Sequence, residues 1–213
     1  MKFVLLAACS AAVLGASPAA AADFTGPRLE GRIGYEWITL ELKLSDGVTS
    51  ASDSGHKSGV SLGGEIGYDV ALGNRAVIGA YAGAEGGEAR ACGEIYGNDE
   101  GCLTLGRNLT VGGRIGARVA DRVMVYAKGG YSSGQLRASY ADLGDPANDF
   151  SYHVNRDGIH FGGGVEGQIS PNTYARLEYV RTQYDGYSYS EPGLELDLTG
   201  HRDQVIAGFG VRF

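Results

Sequence analysis

The sequence ends in Val205-Ile206-Ala207-Gly208-Phe209-Gly210-Val211-Arg212-Phe213. The odd-numbered positions of this stretch are all apolar, whereas the even-numbered positions hold isoleucine, glycine and arginine. Successive side chains of a β-strand point to opposite faces, so residues that alternate in this way separate onto two faces. The stretch therefore predicts a strand that is apolar on one face only and ends in an aromatic residue.

The same alternation recurs in seven earlier segments. In the first of them, Leu29, Ile33 and Tyr35 share one face, and Glu30 and Glu36 share the other. A period of two with one polar face is the signal of a strand that is apolar on one side. The segments predicted as strands are 28–41, 58–70, 76–86, 104–119, 123–136, 158–169 and 173–184. The apolar face of the segment 76–86 stays undecided, because Val77 and Tyr81 compete for it with Ile78 and a row of alanines.

The connections between these segments alternate in length. Short turns are predicted at 73–74, 120–122 and 170–172, and long polar stretches at 43–57, 87–103, 137–157 and 185–200. No segment beyond the N-terminal region carries the ~18 consecutive apolar residues of a membrane helix. Tight turns on one side and larger loops on the other are typical of outer-membrane barrels, which close their backbone hydrogen bonds between strands. The sequence predicts an all-β fold, an eight-stranded antiparallel transmembrane up-and-down β-barrel with both termini on the periplasmic side.

The first 22 residues have the composition of an export signal. Lys2 supplies a positive charge, residues 3–15 are apolar, and residues 20–22 offer a small-residue cleavage site. We expect a signal peptide over 1–22 and a mature barrel domain over 23–213. An alternative is a lipoprotein signal ending at Cys9, but that cysteine leaves little apolar sequence before it.

A secreted, water-soluble barrel is the alternative fold. Its apolar faces would turn inward, and charged residues such as Glu30, Arg114 and Glu166 would cover its surface. The aromatic end at Phe213 and the interface-type aromatic Trp37 favour the membrane instead, because aromatic rings prefer the lipid headgroup level.

The net charge is negative, and the acidic residues are concentrated in the long polar stretches. Loss of residues 1–22 would leave 17 basic and 25 acidic residues, and the long stretches contain 14 acidic and five basic ones. A negative outer surface repels phosphate, so we expect no nucleic-acid partner. Carboxylates there could collect divalent cations among lipopolysaccharide phosphates, but no dedicated metal-binding spacing is present, and we expect no cofactor.

Charged residues also fall on the polar face of the predicted strands. An eight-stranded barrel is just wide enough for its side chains to fill it, so near-equal opposite charges inside predict a salt-bridged plug. A gated pore, in which the charges exchange partners, is the alternative. The residues assigned to this interior charge network are Glu30, Arg32, Glu36, Glu65, Asp69, Arg114, Arg118, Lys128, Glu166, Arg176, Glu178, Arg202 and Arg212.

Cys92 and Cys102 remain after the predicted signal is removed. An even pair in an oxidising compartment predicts a disulfide, here within the outer surface. A zinc site is disfavoured because no histidine lies between or beside the two cysteines.

Four segments of the chain resemble the small outer-membrane β-barrel proteins related to the OmpA transmembrane domain and the opacity surface proteins. The segments are 125–131, 162–167, 174–179 and 210–213. The resemblance covers nearly all of the mature chain and implies an outer-membrane location in a Gram-negative bacterium. It implies no shared activity, because the family is diverse.

Two alternative functions, nucleotide binding and lipid hydrolysis, have less support in the sequence. The glycines of Gly162-x-Gly164-x-x-Gly167 match a dinucleotide fingerprint, but they lie within an alternating strand and not at the start of a helix. A lipid-modifying hydrolase would need a histidine beside a serine and a carboxylate. His160 points inward by parity, and His201 shares an outward face near the outer rim with Asp203. The candidate serines are Ser132, Ser133 and Ser139, near the end of the fifth predicted strand.

Aromatic residues in the long stretches suggest a recognition surface, since tyrosine combines an apolar ring with a hydrogen-bonding tip. These residues are Tyr96, Phe150, Tyr152, Tyr184, Tyr187 and Tyr189. We therefore expect a non-enzymatic surface protein with an envelope role and loops for recognition or adhesion, and a narrow pore as the rival. Its expected partners are outer-membrane lipid, lipopolysaccharide, an unidentified surface ligand and the barrel-assembly machinery. The terminal strand would supply the insertion signal with Val205, Ala207, Phe209, Val211 and Phe213.

Overall fold

A computed structural model describes residues 24–45, 50–87, 90–94, 100–141, 150–191 and 194–213. The predicted signal peptide over 1–22 lies outside these residues. The described residues form nine β-strands: β1 (Gly26–Ser45), β2 (Ser50–Leu72), β3 (Ala76–Gly87), β4 (Arg90–Glu94), β5 (Glu100–Ala120), β6 (Val123–Ala141), β7 (Phe150–Gln168), β8 (Thr173–Glu191) and β9 (Leu194–Arg212).

Eight of these strands close an antiparallel barrel. Neighbours in the chain pair with each other, β1 pairs with β9, and β3 pairs with β5. The short strand β4 pairs with β5 beyond the end of β3. The described residues contain no helix with the length and apolar character that a membrane crossing requires.

The strands extend well beyond their predicted ends. β1 and β2, for example, remain paired as far as Ser45 and Ser50, inside the stretch 43–57 that was predicted as a loop. The predictions of long irregular connections at 87–103, 137–157 and 185–200 were likewise wrong in extent, because β4 and the outer ends of β5 to β9 occupy much of them. Polar residues suggested loops there, whereas the backbone hydrogen bonds of the hairpins continue regardless of side-chain polarity.

The two faces of the barrel wall differ sharply in chemistry. We call the face that carries Glu30 and Glu65 the inner face, and the opposite one the outer face. Ile33, Leu62 and Ile115 on the outer face are 52%, 64% and 62% exposed, whereas Glu65 on the inner face is 1% exposed. So large an apolar surface matches the lipid-facing band of a membrane barrel.

The structure decides the orientation of β3. Val77 and Tyr81 lie buried on the inner face, and Ile78 is 43% exposed on the outer face. The row of alanines shares the outer face with Ile78, with exposed positions at 80, 82 and 84. The outward-facing residues of β3 are mostly alanines, which are small and only weakly apolar. This composition explains why the apolar face of β3 could not be identified from the sequence.

The barrel closes tightly at the periplasmic end. The amide of Phe213 donates to the carbonyl of Pro27 at 2.9 Å, next to the start of β1. Gly26 has a φ of 124°, and a Cβ there would lie 2.2 Å from the carbonyl oxygen of Phe213, so only glycine fits. Phe24 lies fully buried below the lumen and packs with Val77 and Met124.

Candidate functional site in the barrel lumen

The periplasmic layer of the lumen is built around Asp69 on β2. Arg114 donates to its two carboxylate oxygens at 2.5 and 2.9 Å. Arg212 donates to Asp69 Oδ2 at 3.0 Å and to Glu166 Oε1 at 2.8 Å. A further bond of 2.9 Å joins Arg114 Nη1 to Glu166 Oε2. Two guanidinium groups and two carboxylates, contributed by β2, β5, β7 and β9, therefore bridge the barrel interior.

The middle layer is centred on Glu65 and Glu178. Arg32 links them, with Nη1 2.7 Å from Glu65 Oε2 and Nη2 2.8 Å from Glu178 Oε1. Lys128 Nζ lies 2.8 Å from Glu65 Oε2 and 3.3 Å from Glu178 Oε1. Arg176 Nη2 lies 3.1 Å from Glu65 Oε1 and 2.7 Å from Glu30 Oε1. Each of the two central carboxylates is therefore shared by several cations.

The outer layer is formed by Arg202 on β9. Its guanidinium donates to Glu36 on β1, and its Nη1 donates to Glu85 on β3 at 2.8 Å. Asn108 on β5 donates to Glu85 at 3.0 Å. This layer joins opposite sides of the barrel. Arg202 and Glu36 lie on the adjacent strands β9 and β1, whereas Glu85 and Asn108 lie on β3 and β5 at the far side.

A hydrogen-bonded cluster of Tyr81, Ser132 and His160 lies between the middle and outer layers. His160 Nε2 is 2.5 Å from the hydroxyl of Tyr81, and His160 Nδ1 is 2.9 Å from Ser132 Oγ. The ammonium of Lys128 lies 4.1 Å from the centre of the Tyr81 ring. The histidine therefore bridges β3 and β6 across the lumen, and its ring stands close to the cationic middle layer.

The charged layers together fill the lumen. The side chains of Glu36, Glu65, Asp69, Glu166 and Glu178 have no solvent exposure. Charges in such surroundings must be paired, because desolvation of a lone ion costs several kcal/mol. The arrangement separates the two ends of the barrel by three consecutive ion-paired layers.

All thirteen residues of the predicted network lie on the inner face, but one of them, Arg118, is not part of the ion-paired layers. Twelve of them belong to the ion pairs of the three layers. Arg118 instead lies half-buried near the periplasmic end, where its guanidinium carbon is 5.5 Å from the ring centre of Phe24. A cation–π contact of this kind needs no carboxylate partner.

Two charged members of the layers were not among the residues predicted from the sequence. Arg28 donates to Glu65 at 2.6 Å and lies 3.3 Å from Asp69. It has the same parity as Glu30, so the pattern of β1 could have identified it. Glu85 was not predicted because the inner face of β3 was undecided. Once Val77 and Tyr81 are known to face inward, Glu85 follows, because it is also an odd-numbered residue of the same strand.

A second polar cluster lies on the outer face, next to Val205 in the direction away from the periplasmic end. Arg181 binds Asp203 through two bonds of 2.7 and 3.0 Å, and the hydroxyl of Tyr179 also donates to Asp203. His201 Nε2 lies 3.5 Å from the same carboxylate. Hydrogen bonds from Arg181 hold the pKa of Asp203 below its usual value.

These contacts weigh against the two histidines as hydrolase centres. His160 does contact a serine, but Ser132 is fully buried and no substrate could reach it. Asp203 is occupied by Arg181, so it is not reserved for orienting His201. A serine–histidine–carboxylate relay requires the base to contact both of the other groups.

The glycine-rich segment has a packing explanation. Gly164 lies on the inner face of β7, and a Cβ at that position would lie 2.8 Å from the hydroxyl of Tyr126 and 2.8 Å from Cβ of Glu178. Tyr126 uses that hydroxyl to donate to Glu178 at 2.7 Å. The glycine therefore makes room for the middle layer, and the segment is strand from end to end.

The outer hairpins carry the other predicted residues. Cys92 and Cys102 occupy directly opposite positions of β4 and β5 and are joined by a disulfide. Phe150 stacks on Tyr140 with ring centres 5.2 Å apart, and Tyr152 is 66% exposed. Tyr184 is described, whereas Tyr96 and the side chains of Tyr187 and Tyr189 lie outside the described part of the structure. Within the described ranges, no group of three or more histidine, cysteine or acidic side chains could hold a metal ion.

Comparisons with known proteins agree with this architecture. The sequence model of a protein family described as "Outer membrane protein beta-barrel domain" matches residues 6–213. No curated protein matches in sequence.

Several solved structures are similar in fold. The outer membrane protease OmpT from Escherichia coli has a TM-score of 0.51 and 9% identity, covering 88% of this chain and 97% of that chain. Ail, the attachment invasion locus protein of Yersinia pestis, has a TM-score of 0.42 and 16% identity, covering 89% and 99%. Neisserial surface protein A has a TM-score of 0.44 and 15% identity, covering 85% and 97%. Identities this low concern the fold alone.

Proposed function

Because this chain belongs to the outer membrane protein β-barrel domain family and resides in the Gram-negative outer membrane, we propose that it is a non-enzymatic surface barrel with a sealed lumen. Its role would be structural, stabilising the envelope and holding its outer hairpins at the cell surface. The observation that carries the proposal is the middle layer, in which Arg32 and Lys128 each bridge Glu65 and Glu178.

The energetics of that layer favour a plug over a gate. Opening a path would separate cations from carboxylates in a site without solvent, and breaking a buried pair typically costs about 3–5 kcal/mol. Several pairs share the same carboxylates, so displacing one cation disturbs its neighbours as well. A narrow pore is therefore the less favoured function.

Conductance distinguishes the two functions. The full chain, refolded and inserted into planar lipid bilayers, is expected to pass no current steps across a wide voltage range. Heat-modifiable migration of the same preparation on a gel would establish that the barrel is folded. Reproducible unitary steps from folded protein would overturn the sealed-lumen proposal in favour of a solute pore.

The hydrolase alternative has its own test. We expect no acyl release from lipopolysaccharide incubated with the folded protein. Release that disappears in a His160→Ala or His201→Ala variant would instead make the protein an enzyme.

The exposed hairpins are proposed to contact partners outside the cell. Phe150 and Tyr152 are 62% and 66% exposed beyond the membrane band, and amphipathic aromatic residues are frequent at recognition surfaces. Replacing Phe150 and Tyr152 together by serine should reduce surface binding and leave heat-modifiable migration intact. Equal binding by the double variant would argue against recognition through the β6–β7 hairpin.

Two partners of the barrel itself complete the proposal. The outer face of the terminal strand would lie against lipid and lipopolysaccharide. The stretch from Val205 to Phe213 is proposed to be what the barrel-assembly machinery recognises, since its apolar residues alternate on one face as far as Phe213.

A further inference from the structure

Two residues that precede β1 fold into the periplasmic mouth of the barrel. Phe24 is fully buried, although neither Phe24 nor Thr25 belongs to a strand. Thr25 is attached to the wall, since its Oγ1 accepts a hydrogen bond of 3.0 Å from the amide of Ala71 on β2. We call Phe24 and Thr25 the N-terminal arm. The arm therefore occupies the mouth and does not extend away from the barrel.

The seat of Phe24 reaches across this mouth. Its apolar part is formed by Val77 on β3 and Met124 on β6, which are both fully buried, with Ala71 of β2 packed against the cluster. The arm begins beside β1, whose neighbours in the sheet are β2 and β9. Because β3 and β6 are not adjacent to β1, a ring that packs with both of them must cross the opening. One phenylalanine therefore covers the mouth.

Two guanidinium groups complete the seat. The guanidinium carbon of Arg118 lies 5.5 Å from the ring centre of Phe24, and that of Arg212 lies 5.3 Å from it. Both distances are in the range of a cation–π contact. Arg118 comes from β5 and Arg212 from β9, so cations from two separate parts of the wall hold the ring. These contacts explain how an apolar ring is retained directly below a layer of ions.

Arg212 links the arm to the ion-paired periplasmic layer. Its Nη2 donates to Asp69 and Glu166, whereas its Nε and Nη1 are buried and have no hydrogen-bond acceptor among the described residues. A buried donor without an acceptor is costly, and the face of an aromatic ring is only a weak substitute. Water that replaced the ring could accept from these donors. Hydration of Arg212 would therefore partly offset the departure of Phe24, which suits the seat to reversible occupation.

A glycine separates the arm from the barrel. Gly26 has a φ of 124°, a backbone conformation that only glycine adopts readily. Directly after it the barrel is closed by its own hydrogen bonds, including the one from the amide of Phe213 to the carbonyl of Pro27. The arm lies outside every strand, so its displacement would leave the pairing of β1 with β2 and β9 intact.

We propose that the N-terminal arm is a displaceable stopper of the periplasmic mouth. Phe24 closes the mouth when it is seated between Arg118 and Arg212, and it leaves its seat without opening the barrel. The stopper keeps periplasmic water away from the layer around Asp69, so this end of the lumen has a closure of its own in addition to the ion pairs. The inference goes beyond the proposed structural role and does not depend on whether the lumen conducts.

Thiol labelling measures whether the mouth is closed. Val77→Cys places a small thiol in the seat, in outer membranes isolated from cells that produce the full chain. A membrane-impermeant maleimide should modify position 77 slowly but completely, with heat-modifiable migration retained, because reaction requires the arm to leave. Phe24→Ser in the same background should raise the rate by about tenfold or more, since the seat then stays open. Cys92 and Cys102 are joined in a disulfide and do not react, and peptide mass spectrometry assigns the modified position.

Matched controls distinguish closure from general loosening of the barrel. Asn74→Cys lies in the exposed turn between β2 and β3 and should be modified rapidly whether or not Phe24 is present. Val119→Ser removes an exposed apolar side chain at the same end and should leave the rate at position 77 unchanged. Arg118→Gln removes one cation–π contact without breaking the ion-paired layers, and should raise that rate by about threefold.

The proposal would be overturned if position 77, with Phe24 present, were modified as fast as Asn74→Cys or not at all. Equal rates with Phe24 and with Phe24→Ser, or equal acceleration by Val119→Ser, would overturn it as well. If Phe24→Ser does not assemble, Phe24→Leu takes its place, because leucine is apolar but has no ring face. An unchanged rate in that variant would contradict a stopper held by cation–π contacts.

Discussion

Asp69 contacts three guanidinium groups, those of Arg28, Arg114 and Arg212, in the periplasmic layer. Asp69→Asn keeps the shape of the side chain and removes its charge, leaving three buried cations with one carboxylate fewer. We expect the free energy of unfolding to fall by about 3–5 kcal/mol. Urea titration of the protein in lipid vesicles measures this change.

Asp121 provides the matched control. It lies exposed in the turn between β5 and β6, so Asp121→Asn should change the free energy of unfolding by no more than about 0.5 kcal/mol. Equal stability of the Asp69→Asn and Asp121→Asn variants would mean that the periplasmic layer does not depend on the charge of Asp69.

Asp203 belongs to the outer-face cluster beyond the apolar band. Arg181 lowers its pKa, so the carboxylate contributes stability above the pKa of an unfolded aspartate, and that contribution is lost as the pH falls through the lower, folded value. Arg181→Gln should raise the pKa of Asp203 toward its ordinary value. Carboxyl NMR titration follows this shift directly.

His201→Gln is the control variant. It should shift the pKa of Asp203 less, because His201 Nε2 lies 3.5 Å from the Asp203 carboxylate. A larger shift from His201→Gln than from Arg181→Gln would show that Arg181 is not the main cause.

At the scale of elements, β4 is a short strand held by one edge. It pairs with β5 over five residues, and the Cys92–Cys102 disulfide closes that hairpin. Replacing both cysteines by serine should destabilise the hairpin by about 2–3 kcal/mol through loop entropy. Amide hydrogen exchange should then accelerate in β4 and at 100–104 of β5. Amides of β5 near Ile115 serve as the control, and faster exchange there too would mean that the disulfide supports the whole barrel.

The individual strands also show where sequence patterns succeed and fail. On β1 the alternation identified a strand over 28–41 and its charged face, but the residues from position 43 onward were predicted as a loop because that stretch is polar. The strand actually continues to Ser45, paired with both β2 and β9. Backbone hydrogen bonds between neighbouring strands do not depend on side-chain polarity, so composition could not reveal the extension.

At the scale of the molecule, the barrel wall passes through two solvents. Around Ile115 the outer face meets hydrocarbon, and around Asn155 it meets water. Ile115→Lys should therefore lower the free energy of unfolding by about 2–4 kcal/mol, the cost of a lysine near the middle of the bilayer. Asn155→Lys should have little effect. Unfolding in vesicles compares the two, and similar values for both would contradict the assignment of the lipid face.

The fold class, the lipid-facing side of seven strands and most of the inward-pointing residues could be predicted from the sequence alone. Those properties follow from local alternation, because each strand must present one face to lipid and one to the interior. The face of β3 and the sharing of Glu65 between Arg32 and Lys128 emerged only from the folded barrel. Partners such as Arg32 and Glu178 are 146 positions apart in the chain, and they meet only because barrel closure brings β1 and β8 within reach of each other across the lumen.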